Sequence, residues 1–226
     1  MKLKLVYFKM RALAEAPQML MRCHHISYDY LMSWEYFGDV WTNVKPTLAF
    51  KQLPMLLVDG KHEICQSVAI LMYLETLAGI TIADPVKAAK ASAILQSSQE
   101  LFAPLNPTVN FAVGYDFTAK KDAMRPMLAS RFSDLSRCLD EYEGQYFIDD
   151  TPRAAEFAAY HHLNLSKLLD ETLVAAFPRL EKFISDMEKI PALRDYLDRR
   201  PQLIDVGIEP KLVINGEAHP TGVMQT

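Results

Sequence analysis

The sequence predicts an α/β domain followed by an all-helical one, in the order β-α-β, a loop, β-β-α and then helices. Three observations carry that prediction. Residues 2–7 (KLKLVY) and 26–31 (ISYDYL) alternate in polarity as half-buried strands do. Residues 53–58 (LPMLLV) run into Asp59-Gly60, a strong hairpin turn, with residues 61–65 as the returning strand. From Asp84 onward the apolar spacing is almost entirely helical.

The elements follow in order. Residues 12–23 are rich in Ala, Leu and Met and read as the first helix, which tolerates Pro17 only in or near its first turn. Residues 66–77 (QSVAILMYLETL) are apolar at 68, 70, 71, 74 and 77, a helical stripe that Gly79 stops. Asp84-Pro85 is an N-cap followed by proline at the first helical position. Helices are expected at about 85–103, 119–142, 153–170, 177–189 and 192–199, punctuated by Pro104, Pro107, Gly144, Pro152, Pro178, Pro191 and Pro201. Residues 202–226 show no periodicity and are expected to wrap the surface as an extended tail. The expected domains are 1–79 and 84–201. No internal repeat or low-complexity tract is present.

Composition narrows the function classes. The chain has 226 residues, 50% hydrophobic and 23% charged, with 13 prolines and 8 glycines, as an ordinary globular protein does. No run of 18 apolar residues exists to span a bilayer, and the N-terminal MKLKLVYFKM lacks the apolar block of a signal peptide. A net charge of -4 without a long basic run argues against a nucleic-acid partner. Residues 1–80 carry 8 Lys+Arg against 7 Asp+Glu, a mildly basic first third that suits a small anionic ligand. Cys23, Cys65 and Cys138 form neither an even set nor a C-x-x-C spacing, so a reducing, cytoplasmic setting is expected.

The residues that carry chemistry cluster in the first third. Tyr7-Phe8-Lys9-Met10-Arg11-Ala12-Leu13-Ala14-Glu15 closes the first strand, Trp41, Lys45 and Phe50 space the following loop, and Pro54 to Gly60 leads to Gln66-Ser67 and on to Leu74. This set resembles the cytosolic glutathione transferases, and within them the sigma-like, tyrosine-type members. The resemblance implies a thioredoxin-like N-terminal domain (βαβ-ββα), an all-helical C-terminal domain, a homodimer and glutathione as co-substrate.

It also implies site roles. Tyr7 would donate its hydroxyl to the glutathione sulfur and favour the thiolate. Leu53, before a cis Pro54, would pair its backbone with the cysteinyl unit of the peptide. Ser67 and Gln66, at a helix start, would take the γ-glutamyl carboxylate. Lys45 and the Trp41 indole would hold the glycyl carboxylate, with neutral Gln52 where the family often has lysine. Arg11 would polarise the site, and Gln99, with Glu100 beside it, would reach across the dimer to the glutathione amine. Phe8, Leu13, Phe102, Leu105, Phe111 and Tyr115 are the candidate lining of a pocket for a hydrophobic electrophile. Where the family has a Ser/Thr-x-x-Asp cap, this chain has Arg153 and Glu156, and Thr151-Pro152 is an alternative cap.

The adjacent histidines of His24-His25 and of His161-His162 point apart on a helix or strand, so no metal site is expected. Cys65 beside Gln66 is read as a buried structural thiol. The expected activity is conjugation of glutathione to hydrophobic electrophiles, a detoxification chemistry. The alternatives are a glutathione-dependent isomerase of the prostaglandin type and a non-catalytic binding or structural relative.

Overall fold

A computed structural model of the chain describes residues 1–112, 114–142, 144–200 and the segments 204–205, 211–214 and 217–219, with only the backbone described at 109–111, 114, 168 and in those last three segments. The first part runs β1 (Leu3–Tyr7), α1 (Glu15–Cys23), β2 (Asp29–Met32), α2 (Ser33–Phe37), α3 (Trp41–Val44), a 3-10 turn (Lys45–Thr47), β3 (Met55–Val58), β4 (His62–Cys65) and α4 (Ser67–Ala78). The second part is α5 (Pro85–Gln99), α6 (Phe102–Phe111), α7 (Gly114–Asp140), α8 (Ala154–Leu169), α9 (Glu171–Ala175), α10 (Pro178–Glu188) and α11 (Pro191–Arg199).

The four strands form one mixed sheet in the order β2-β1-β3-β4, parallel between β1 and β2 and antiparallel elsewhere. The hairpin turn is where the sequence put it. Asp59 and Gly60 both take positive φ, 51° and 68°, the geometry that suits the twist of a two-residue hairpin. Pro17 is the third residue of α1, where its missing N–H has no partner to lose. Gly79 closes α4 in the left-handed conformation, with the Ile80 N–H reaching back to the Glu75 carbonyl at 3.1 Å. Asp84 caps α5 by accepting the N–H groups of Val86 (2.8 Å) and Lys87 (3.0 Å).

Three expectations change. Pro104 and Pro107, read as breaks, both lie within α6, Pro104 in its first turn where no N–H is needed. The loop after β2 holds α2 and α3, too short for helical periodicity to register. Past Pro201 the described segments are β5 (Ile204–Asp205), β6 (Lys211–Ile214) and β7 (Glu217–His219), an antiparallel sheet in that order. The dipeptide between β6 and β7 is Asn215-Gly216, a hairpin signal in the sequence that could have found it.

The helical core centres on α8, where Phe157, Ala158, Ala159, Tyr160 and Leu163 are all buried. Its N-terminus is capped from elsewhere, not by Thr151. Arg153 stands at the cap position with a guanidinium that has no acceptor. Instead, Glu75 of α4 accepts the Ala154 N–H at 2.9 Å, and Glu156 accepts the N–H groups of Arg153 (2.8 Å) and Phe147 (3.0 Å). The Arg153 guanidinium bonds the Ile80 carbonyl at 2.7 Å and both oxygens of Asp149. Glu75 and Arg153 thereby tie the two parts together. Glu75→Leu is expected to cost about 1–2 kcal/mol, the range of a lost cap and an orphaned N–H. A thermal melt reads it as a fall of roughly 2–8 °C, and Glu75→Gln, which keeps an acceptor, should recover part of it.

Candidate active site

The strand register assembles the site. Val6 of β1 pairs with Met55 of β3, and Met55 pairs with Cys65 of β4. The next residues outward from that row are Tyr7, Pro54 and Gln66, so all three lie at one end of the sheet. Ser67 follows as the first residue of α4.

Tyr7 is 3% exposed, and its phenolic oxygen is bonded by the backbone N–H of Leu13. Burial, only partly offset by that bond, holds the phenol well above the ordinary tyrosine range. The hydroxyl therefore keeps its hydrogen at every physiological pH and is a donor. The segment after β1 is pinned by the Tyr30 hydroxyl, which donates to the Phe8 carbonyl at 2.7 Å. The Phe8 ring meets the Trp41 indole edge-on at 5.0 Å, joining the β1–α1 segment to α3.

The Leu53-Pro54 peptide is cis, and both residues are buried. Gln66 has φ 72° and ψ 119°, a sparsely populated conformation for a residue with a side chain. Its amide nitrogen faces Gln52 Oε1 at 3.4 Å on the surface. The first helical bond of α4 runs from the Ile70 N–H to the Gln66 carbonyl, so the N–H groups of Ser67, Val68 and Ala69 precede any helical acceptor. That cluster and the helix dipole favour an anion at Ser67. Lys45, exposed, opens the 3-10 turn next to α3, whose first residue is the half-buried Trp41.

The other expected residues are more dispersed. Arg11 is half-buried among Glu15, Arg200 and Tyr196, and burial together with the Arg200 charge lowers its pKa. It lines a cleft of about 1220 Å³ between α1, β2 and α11, which contains none of the six expected pocket residues. Of those six, Phe8, Leu13 and Phe102 are half-buried against the core. Leu105 is 1% exposed, within the core, and Tyr115 is 89% exposed in the first turn of α7. Neither is set to line a pocket, because one has no open face and the other no wall. The Phe111 side chain lies outside the described residues. Glu100 pairs with Arg131 of the same chain.

Gln99 makes a connection that spacing did not reveal. Its amide nitrogen donates to Ser67 Oγ at 3.4 Å, and its oxygen lies 3.0 Å from Nε2 of His162 on α8. Sequence reading weighed His162 only as a metal ligand. The one signal for it was a polar residue in the apolar stripe of α8. Among the described residues no group of three or more His, Cys, Asp or Glu is arranged to hold a metal ion. Cys65 is half-buried, and burial with the nearby Glu63 charge raises its pKa, which disfavours a reactive thiolate.

Residues 1–76 match the glutathione S-transferase N-terminal domain family and residues 106–200 the glutathione S-transferase C-terminal domain family. The chain is 30% identical over 203 residues to hematopoietic prostaglandin D synthase of Gallus gallus, covering 88% of this chain and 96% of that one. It is 25% identical over 222 residues to glutathione S-transferase P of Caenorhabditis elegans, covering 96% and 100%. Its fold superposes on the crystal structure of monomeric Na-GST-3, a glutathione S-transferase from Necator americanus, with a TM-score of 0.78 at 23% identity, covering 89% and 98%. The chain belongs to the glutathione S-transferase family. It is a glutathione transferase whose thioredoxin-like first part carries the mixed sheet and whose second part is helical.

Proposed function

We propose that the protein joins the glutathione thiolate to hydrophobic electrophiles, with the Tyr7 hydroxyl as the donor that stabilises the sulfur. The observation that carries this is the register row that sets Tyr7, Pro54 and Gln66-Ser67 at one end of the sheet. A thiol of pKa about 8.5 is mostly protonated at neutral pH, and only its thiolate attacks. Lowering it by about 2 units takes about 2.7 kcal/mol. One charge-assisted bond of about 1.5–3 kcal/mol supplies most of that. Residues 1–79 would bind glutathione: the cysteinyl backbone at Leu53 beside Pro54, the γ-glutamyl carboxylate at Ser67 and Gln66, and the glycyl carboxylate at Lys45, Trp41 and Gln52. Residues 84–201 would add to the electrophile wall through Phe102, with Phe8 and Leu13 contributed by the first part.

The proposal includes a sigma-like assignment, a cytoplasmic setting and a homodimer. Phe50, 58% exposed, and Met72, 49% exposed, are large apolar side chains that a second copy would cover. Light scattering in solution checks the dimer. A glutathione-dependent isomerase is the second reading, favoured by the similarity to the avian prostaglandin D synthase.

A chloronitrobenzene conjugation assay run beside glutathione-resin retention tests the reading. Turnover with retention is expected, whereas retention without turnover would favour a binding protein. Isomerisation of a prostaglandin endoperoxide without conjugation would favour the second reading. Ser67→Ala keeps the backbone N–H groups and loses one hydroxyl. It should raise the KM for glutathione about tenfold, the low end for a bond to a charged group. An unchanged KM in a folded variant would mean the γ-glutamyl end lies elsewhere.

A further inference from the structure

We propose that His162 is a positioning residue for the glutathione site, acting through Gln99 to aim the Ser67 hydroxyl at the ligand. The inference rests on the reading that Ser67 receives the γ-glutamyl carboxylate. His162 is 1% exposed in the core of α8, and its burial holds the ring neutral, with a pKa of about 3. A neutral imidazole carries one hydrogen, on one of two nitrogens. Nδ1 has no hydrogen-bond partner, whereas Nε2 lies 3.0 Å from Gln99 Oε1. An amide oxygen only accepts, so the hydrogen is on Nε2.

The consequence passes along the chain of bonds. With its oxygen held by His162, Gln99 presents its NH2 group to Ser67 Oγ at 3.4 Å. Ser67 then accepts from Gln99 and keeps its own hydrogen free to donate to an anion. The reversed amide would take that hydrogen for Gln99 Oε1 and turn a serine lone pair towards the carboxylate. A residue buried in the helical part therefore decides whether Ser67 attracts or repels the ligand's charge. The 3.4 Å contact is long for an N–H···O bond, so the effect is one of orientation and is modest in size.

The test uses glutathione and 4-aminobutyryl-cysteinyl-glycine, which keeps the amine but lacks the γ-glutamyl carboxylate. Their Kd values are measured by calorimetry on the wild type, His162→Leu, His162→Gln and Gln99→Met, with kcat at saturating glutathione. His162→Leu should weaken glutathione about three- to tenfold, the range of one neutral hydrogen bond. It should leave the Kd of the analogue and the kcat unchanged, and His162→Gln, which restores an N–H donor, should recover glutathione binding. A folded His162→Leu with wild-type affinity for glutathione, or with equal losses for both peptides, overturns the inference. If His162→Leu does not fold, Gln99→Met, altered at a half-buried position, decides by the same comparison. A wild type that binds both peptides equally overturns the Ser67 reading itself, an outcome distinct from failure at His162.

Discussion

Tyr7→Phe is expected to leave the fold and glutathione affinity nearly unchanged and to remove the thiolate at neutral pH. The ring stays packed against Phe8, 5.3 Å away, and only an oxygen bonded by the Leu13 N–H is lost. Titrated by thiolate absorbance in the binary complex, the glutathione pKa should rise by about one to two units, following the 1.5–3 kcal/mol of one bond to a charged group. Conjugation at pH 6.5 should fall about ten- to a hundredfold and recover partly as pH is raised. Arg11 is the rival donor from the sequence pattern. In the fold its neighbours are Glu15, Arg200 and Tyr196. If Tyr7→Phe keeps a low thiol pKa and Arg11→Ala loses it, the tyrosine assignment is wrong.

Acid should destabilise the protein by about 3 kcal/mol between pH 6.5 and 4.5, before most carboxylates titrate. His161 and His162 are both buried, and burial holds both neutral, His162 down to about pH 3. Below the ordinary histidine value of 6.5 the unfolded chain binds a proton at each site and the folded chain does not. Stability therefore falls with falling pH by about 1.4 kcal/mol per unit for each histidine. Glu156 opposes them. Burial raises it from 4.5 to about 7, so the folded state holds its proton more tightly in that window and stability from this group rises as pH falls. These two histidines against this one carboxyl give a net loss of about 1.4 kcal/mol per unit from pH 6.5 to 4.5, and about twice that slope just below 4.5. Burial also lowers His24, which adds to the loss, and raises Glu75, which offsets it. Urea unfolding at fixed protein concentration from pH 7 to 4 measures it. His161→Leu, which deletes a ring whose Nε2 has no hydrogen-bond partner, should flatten the upper slope. Identical acid profiles for the variant and the wild type would sink this account.

Much of the first domain was legible because its signals are local. Strand alternation, the Asp59-Gly60 turn and the Gly79 stop act within a few residues. The turn, the stop and β1 were found where expected, while β2 lies at Asp29–Met32, three residues later than the expected start at 26. Tyr7, Pro54 and Gln66 were legible through the family pattern. The hairpin fixes Pro54 against Gln66, whereas the long-range pairing of β1 with β3 that adds Tyr7 belongs to the packed sheet. The pocket was less so. Leu105 and Tyr115 share the apolar character of lining residues, but character does not say which side of a helix faces a neighbour.

By itself, then, the sequence determined the element order, the turn and cap chemistry, and the family pattern at the end of the sheet, all written in short stretches of chain. The tertiary structure alone decided the couplings between distant segments. Glu75 caps a helix 79 residues further on, because packing α4 against α8 leaves the Ala154 N–H facing its carboxylate. His162 orients Gln99 across 63 residues and Gln99 meets Ser67 across 32, contacts that exist only once α4, α5 and α8 are packed together. Arg11 lines the α1–α11 cleft beside the buried Glu15–Arg200 pair, company that its place four residues after Tyr7 does not reveal. Periodicity and propensity report which face of an element is apolar. They carry no term for the partner that face will meet, and the burial that makes a polar group's choice of partner costly exists only in the packed molecule.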